Sequence, residues 1–188
     1  MPLFALDLIE QHWCEPDSEH DPSQGGRLRV VINGITVMDG ERDDVGVARS
    51  ALALSRTLIA DHTPESPVAQ QLVLHDCGFA TSLGSCPIGA DWWVRHDGET
   101  VRLDGVVRYD TTSETPSVTF PDAACVVPRA MYEAQIVRLG AATLAFAAGA
   151  VKAFTDDFEQ SEWVGWQDEV RQNLAVVSER RRSRLATG

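Results

Sequence analysis

At Pro128 the hydrophobic rhythm of the chain changes, and that switch constrains the fold more than any other feature. Before it, short apolar runs alternate with Gly, Pro, Asn and Asp, the punctuation of antiparallel strands. After it, Tyr132, Ile136, Leu139, Thr143, Phe146, Ala150 and Phe154 recur at helical spacing, with Val137, Leu144 and Val151 widening the stripe. Pro128 suits a first helical turn, where its missing N–H costs nothing. A last helix is predicted over 161–184, with Trp163, Trp166, Val170, Leu174 and Val177 on one face and polar residues opposite.

The first two thirds read as strands around one helix. Leu3, Phe4, Leu6, Leu8 and Ile9 make residues 3–13 a largely buried strand or a short helix, and 14–26 is a solvated loop. Asn33-Gly34 lies between Val30-Val31-Ile32 and Ile35-Thr36-Val37, a hairpin signal, because both central residues of a type I′ turn need positive φ. A single strand with a bulge at Gly34 is the competing reading. Asp43 and Asp44 are placed to cap a helix carrying Val47, Ala51, Leu54, Leu58 and Ile59, ending near His62. Strands are expected at 71–75, 91–96, 99–110 and 117–127, the last interrupted by Pro121, and 77–91 reads as a structured loop or a bent strand pair. The expected fold is α+β and a single domain over 1–188, strand-rich over 1–127 and helical over 128–184. It has a mostly antiparallel sheet, one helix after the first hairpin, and two C-terminal helices on one sheet face.

Charge narrows the partners. Against 28 acids stand 16 bases, a net charge of -12, which speaks against nucleic acid and anionic membrane surfaces. All the bases but Lys152 are Arg. Acids dominate residues 1–65, whereas 171–188 is basic; Arg180, Arg181, Arg182 and Arg184 there complement a helix C-terminus. The longest uncharged apolar run, 139–151, spans roughly 20 Å as helix, too short for a bilayer. An N-terminus without a basic region or cleavage site implies no export, hence a cytoplasmic protein with reduced cysteines.

One cluster has the residue types for chemistry: His75, Asp76, Cys77, Cys86, Asp91 and His96. His75, Cys77, Cys86 and His96 could together ligate zinc, which takes about four N or S donors, although their spacing fits no structural zinc pattern. The same region could hold a thiol–imidazole pair, Cys77 with His96 or Cys86 with His75. The bland alternative is a packed loop with buried free thiols. Ala80-Thr81-Ser82-Leu83-Gly84 lacks the following helix of a hydrolase elbow, and the glycines of 83–89 come without the Lys of a phosphate loop. Residues 39–44 alternate oxygens as a calcium loop does, but the required Gly and Glu positions hold Asp44 and Ser50. No cofactor and no catalytic residue is assigned.

The reading that remains is a non-enzymatic binding protein for a basic protein partner. Asp39, Glu41, Asp43 and Asp44 would present carboxylates to it. Of Trp92 and Trp93, adjacent on a strand, one points inward and the other can anchor the partner. In size, charge and class the chain resembles the small acidic immunity and inhibitor proteins that neutralise basic bacterial toxins; no motif carries that likeness, and it assigns no residue. The alternative is a small enzyme or zinc protein built on His75, Cys77, Cys86 and His96. A homodimer through the last helix is the third expectation.

Overall fold

Asn33 and Gly34 adopt φ of 51° and 75°, the two positive values of a type I′ turn. They join β2 (Gln24–Ile32) to β3 (Ile35–Met38) in an antiparallel hairpin, and β1 (Phe4–Trp13) pairs with β2 on its other side. Ile9 is the extra residue of a bulge between Leu8 and Glu10. A two-residue strand, β4 (Val45–Gly46), adds to the far end of β2. The structure, a computed structural model, describes residues 2–15, 17, 23–41, 44–75, 86–113, 115–149, 154 and 157–187.

A second antiparallel sheet has the order β5 (Val73–Leu74), β6 (Gly89–Asp97), β7 (Thr100–Tyr109), β8 (Val118–Thr119), with β9 (Cys125–Pro128) also on β7. Pro121 opens a single 3-10 turn that separates β8 from β9, because it cannot continue the ladder. The sheets meet where Val45 of β4 bridges His75 and where Arg108 donates from Nη1 to the Val37 carbonyl at 3.0 Å. The single sheet of the sequence reading is thus two sheets joined at one corner.

Helix α1 (Val47–Arg56) lies buried over nearly its whole circumference. Its sequence, VARSALALSR, allows this, since Ala and Ser let both sheets and the other helices approach closely. Its hydroxyls are matched: Ser50 Oγ accepts the Leu74 N–H at 3.1 Å, and Ser55 Oγ accepts Asn173 Nδ2 at 3.1 Å. The helix starts at Val47 with Gly46 as its N-cap, so β4 occupies the place where capping by Asp43 or Asp44 was expected. It ends at Arg56, short of His62, and the Thr57 hydroxyl closes the turn by donating to the Leu54 carbonyl.

Helices α2 (Arg129–Ala148) and α3 (Asp157–Thr187) complete the α+β fold. Gln135 and Arg138 of α2 meet the main-chain N–H and C=O of Leu6 on the outer edge of β1, which removes an exposed strand edge. Between strands and helices Phe4 packs against Trp92 and Tyr132, at ring separations of 6.1 and 4.9 Å. A second aromatic cluster gathers Trp13, Phe146, Phe154, Trp163 and Trp166. Trp163, Trp166, Val170 and Val177 are buried within the chain, so the apolar stripe expected to dimerise is already occupied. No helix among the described residues is long and apolar enough to cross a membrane.

Polar clamps hold α3 in place. Arg56 forms a two-pronged pair with Glu169, at 2.5 and 2.9 Å. Glu133, almost wholly buried on α2, accepts from Arg129 at 3.0 Å and from Arg180 at 2.8 Å; Arg180 also caps the Leu58 carbonyl at 2.9 Å. Arg180 therefore ties three helical segments together, beyond the helix-end role its position suggested. Removing the carboxylate would leave two half-buried cations without it, at a cost of up to about 3 kcal/mol. Urea unfolding of Glu133→Ala is expected to show that loss, whereas Asp168→Ala, which breaks the exposed Arg171 pair, should change stability by less than about 0.5 kcal/mol.

Candidate binding surface

A small cleft opens at the corner where the two sheets meet. Met38, Asp44 and Val45 line one side; His75, Ile88, Gly89, Arg108, Tyr109 and Asp110 line the other, around about 240 Å³ of empty space open to solvent. The backbone explains its shape. Gly89 has φ of 147°, and a Cβ there would lie 2.0 Å from the Val73 carbonyl oxygen, so only glycine lets β5 and β6 close here. Arg108 is held along the wall by Asp110, at 2.7 Å, and by the Val37 carbonyl.

Of the described acids after β3, Asp44 lines the cleft, and Asp39 follows its lining residue Met38. Asp39 folds back so that its Oδ1 accepts the Glu41 N–H at 2.9 Å, an Asx turn that stiffens the loop. Asp39, Glu41 and Asp44 are exposed and form no ion pair with a described residue. Asp17, Glu65, Asp97, Asp122, Asp157 and Glu179 are likewise exposed and outside any ion pair with a described residue, whereas other carboxylates are matched. Arg27 pairs with Glu10, Arg29 and Arg138 with Asp7, Arg95 and Arg102 with Asp104, and Arg184 with Glu99.

The remaining sequence candidates separate. Trp92 is 0% exposed in the core and cannot anchor a partner. Trp93 is the outward-facing member of the pair, half-buried, with the Arg95 guanidinium 5.4 Å from its ring centroid. Gly105, at φ 59°, lies so close that a Cβ would meet the ring at 2.5 Å. Trp93 sits four residues along β6 from Gly89, roughly 13 Å from the cleft wall. Asp43 and Cys77 lie outside the described residues.

The four-ligand zinc reading fails on geometry. His75 hydrogen-bonds Ile88 at the start of β6, while His96 pairs with Val101 near its end. Seven strand residues, roughly 23 Å, separate the two ends, so His75, Cys77, Cys86 and His96 cannot surround one ion. The pairing of His96 is with Asp61, which accepts from Nδ1 at 2.8 Å and from the His96 backbone N–H at 3.0 Å. Cys86 is half-buried, and among the described residues no three metal-ligating side chains cluster.

Asp91 takes part in a pair that no sequence spacing announces. Nε2 of His62 lies 3.1 Å from Asp91 Oδ1, and the Val68 N–H donates to Nδ1 at 3.1 Å. Because Nδ1 accepts, the imidazole is the neutral Nε2–H tautomer. Oδ1 of Asp91 also accepts the Leu72 N–H at 3.1 Å. His62 is 2% exposed, and both of its nitrogens are engaged. The arrangement pins residues 62–72 along the edge of β6 and leaves no open position for a substrate.

Two carboxyls should give the fold opposite pH dependences. Burial raises the Asp91 carboxyl above its usual range, against the hydrogen bonds of His62 and the Leu72 and Trp92 backbone. The fold then keeps a proton that the unfolded chain has released, so stability falls as pH rises from about 4 through the folded value. At Asp61, burial acts upward but is outweighed by the backbone and side-chain hydrogen bonds from His96, and the carboxyl is lowered. Its contribution is present above the usual value and disappears as pH falls through the folded one. Urea midpoints between about pH 3 and pH 7 should show that Asp91→Asn removes the decline above about pH 4. Asp61→Asn should weaken the loss on the acid side; curves parallel to the wild type would contradict both assignments.

Neither a family model, nor a curated protein, nor a solved structure matches the chain.

Proposed function

We propose that the protein is a non-enzymatic, cytoplasmic binding protein whose acidic corner holds a basic protein partner. One observation supports this reading above the others: Asp44 lines a small open cleft, and with Asp39 and Glu41 of the same loop it stands exposed and unpaired with described residues. Elsewhere most described arginines are neutralised within the chain. An Arg or Lys of the partner would lay its stem on Met38 and Tyr109 and bring its head to Asp44. Complementary charge of this kind raises the association rate and the specificity of an encounter. The role would suit an immunity or inhibitor protein directed at a basic target. With His75 and His96 at opposite ends of β6, the alternative reading has no four-ligand zinc site.

The test is binding of a fluorescent Arg-rich peptide, with a Glu-rich peptide as control. The triple change Asp39→Asn, Glu41→Gln, Asp44→Asn should weaken binding about tenfold or more, and about 0.5 M salt should nearly abolish it. Binding untouched by salt or by the triple change would overturn the proposal.

A further inference from the structure

The cleft at the sheet corner is shaped to tell one basic side chain from another. It is a slot: of about 240 Å³ of empty space, only about 10 Å³ is open to the centre of a water-sized sphere, about the room that one water needs. A flat group can enter such a space edge-on. A tetrahedral group that carries its hydration shell cannot.

The charges on the slot leave one carboxylate unmatched. Arg108, on its wall, donates to Asp110 from Nε at 2.7 Å and from Nη2 at 3.3 Å, and to the Val37 carbonyl from Nη1 at 3.0 Å. Its charge is balanced and its plane is fixed. Asp44 also lines the slot and has no ion pair with a described residue. Asp110 holds one guanidinium, whereas comparable carboxylates of this fold hold two. Asp7 lies 3.9 Å from Arg29 and 3.2 Å from Arg138, and Asp104 lies 3.1 Å from Arg95 and 3.2 Å from Arg102. A second guanidinium at Asp110 would repeat that arrangement.

We propose that the slot takes the guanidinium of an arginine of the basic partner, edge-on and within reach of Asp44 and Asp110, in preference to a lysine ammonium. The inference rests on the binding reading above and names the group that the acidic corner selects. A guanidinium is planar, weakly hydrated, and carries its donors in a fork that matches carboxylates. Tyr109 and Met38, which line the same slot, would receive its plane and its stem. An ammonium is a compact, strongly hydrated point charge, and the slot has no room for its water. The acids exposed elsewhere, among them Asp17, Glu65, Asp97 and Glu179, attract lysine and arginine alike. Only the slot distinguishes the two.

Fluorescent Arg-rich and Lys-rich peptides of equal length and charge, titrated at about 0.1 M salt, test it. The Arg-rich peptide should bind about tenfold more tightly. Asp44→Asn, at an exposed position, should bring the two affinities to within about twofold of each other, whereas Glu179→Gln should leave their ratio unchanged. As a second measurement on the wild type, N-acetylarginine amide should shift the amide resonances of Gly89 and Tyr109, and N-acetyllysine amide should not. Both peptides binding with equal affinity would overturn this inference and leave the binding reading standing; binding of neither would remove both. An arginine preference that survives Asp44→Asn would also overturn it, by placing the preference elsewhere on the surface.

Discussion

A helix with no exposed face has to be enclosed, and the enclosure of α1 dictates the rest of this architecture. One sheet alone covers about half of a helix. The opposite side must then be covered by α2 and α3, and the remaining flank by the second sheet through β5. Burial on this scale also sets a polar requirement, because an unmatched buried hydroxyl or amide costs about 1–3 kcal/mol. β5 answers it at Ser50 and α3 at Ser55, while the Tyr132 hydroxyl lies 2.8 Å from Thr57. Arg56 and Leu58, at the far end, are held by Glu169 and Arg180. At the near end, among the described residues, Arg49 has only the His75 carbonyl, at 3.4 Å.

The same enclosure reorganises the charge. A net charge of -12 suggests a uniformly acidic surface, yet many carboxylates are engaged by arginines that bind sheets or helices together. Asp7 serves Arg29 and Arg138, Asp104 serves Arg95 and Arg102, and Glu133 serves Arg129 and Arg180. The guanidinium's planar array of donors suits such shared pairs better than a lysine ammonium would, which gives the near absence of lysine a structural sense. Among the described acids near the corner where the sheets meet, Asp39, Glu41 and Asp44 are exposed and stand outside any ion pair with a described residue.

Features with short-range causes were legible in the sequence. Asn33-Gly34 and His96-Asp97-Gly98 mark the two long hairpins, and the change of period at Pro128 marks the helical third. The division into two sheets was not legible, because it rests on pairings between residues distant in the chain, such as Val45 with His75. Trp92 and Trp93 were read correctly as facing opposite ways, but which one faces the core depends on where α2 packs. The His62–Asp91 pair joins a loop to a strand, and no local pattern encodes that. His75 and His96 looked close only because they are close in number; an extended strand carries them apart.

The central claim is that binding capacity resides in Asp39, Glu41 and Asp44, which have no ion pair with a described residue, and not in the overall negative charge. Residue-resolved amide NMR during titration with an Arg-rich peptide tests this most directly. The account predicts shifts concentrated at Asp39, Glu41, Asp44, His75, Tyr109 and Asp110, with the paired carboxylates Asp7, Asp104 and Glu169 unmoved. Shifts spread evenly over acidic residues, paired and unpaired alike, would contradict it.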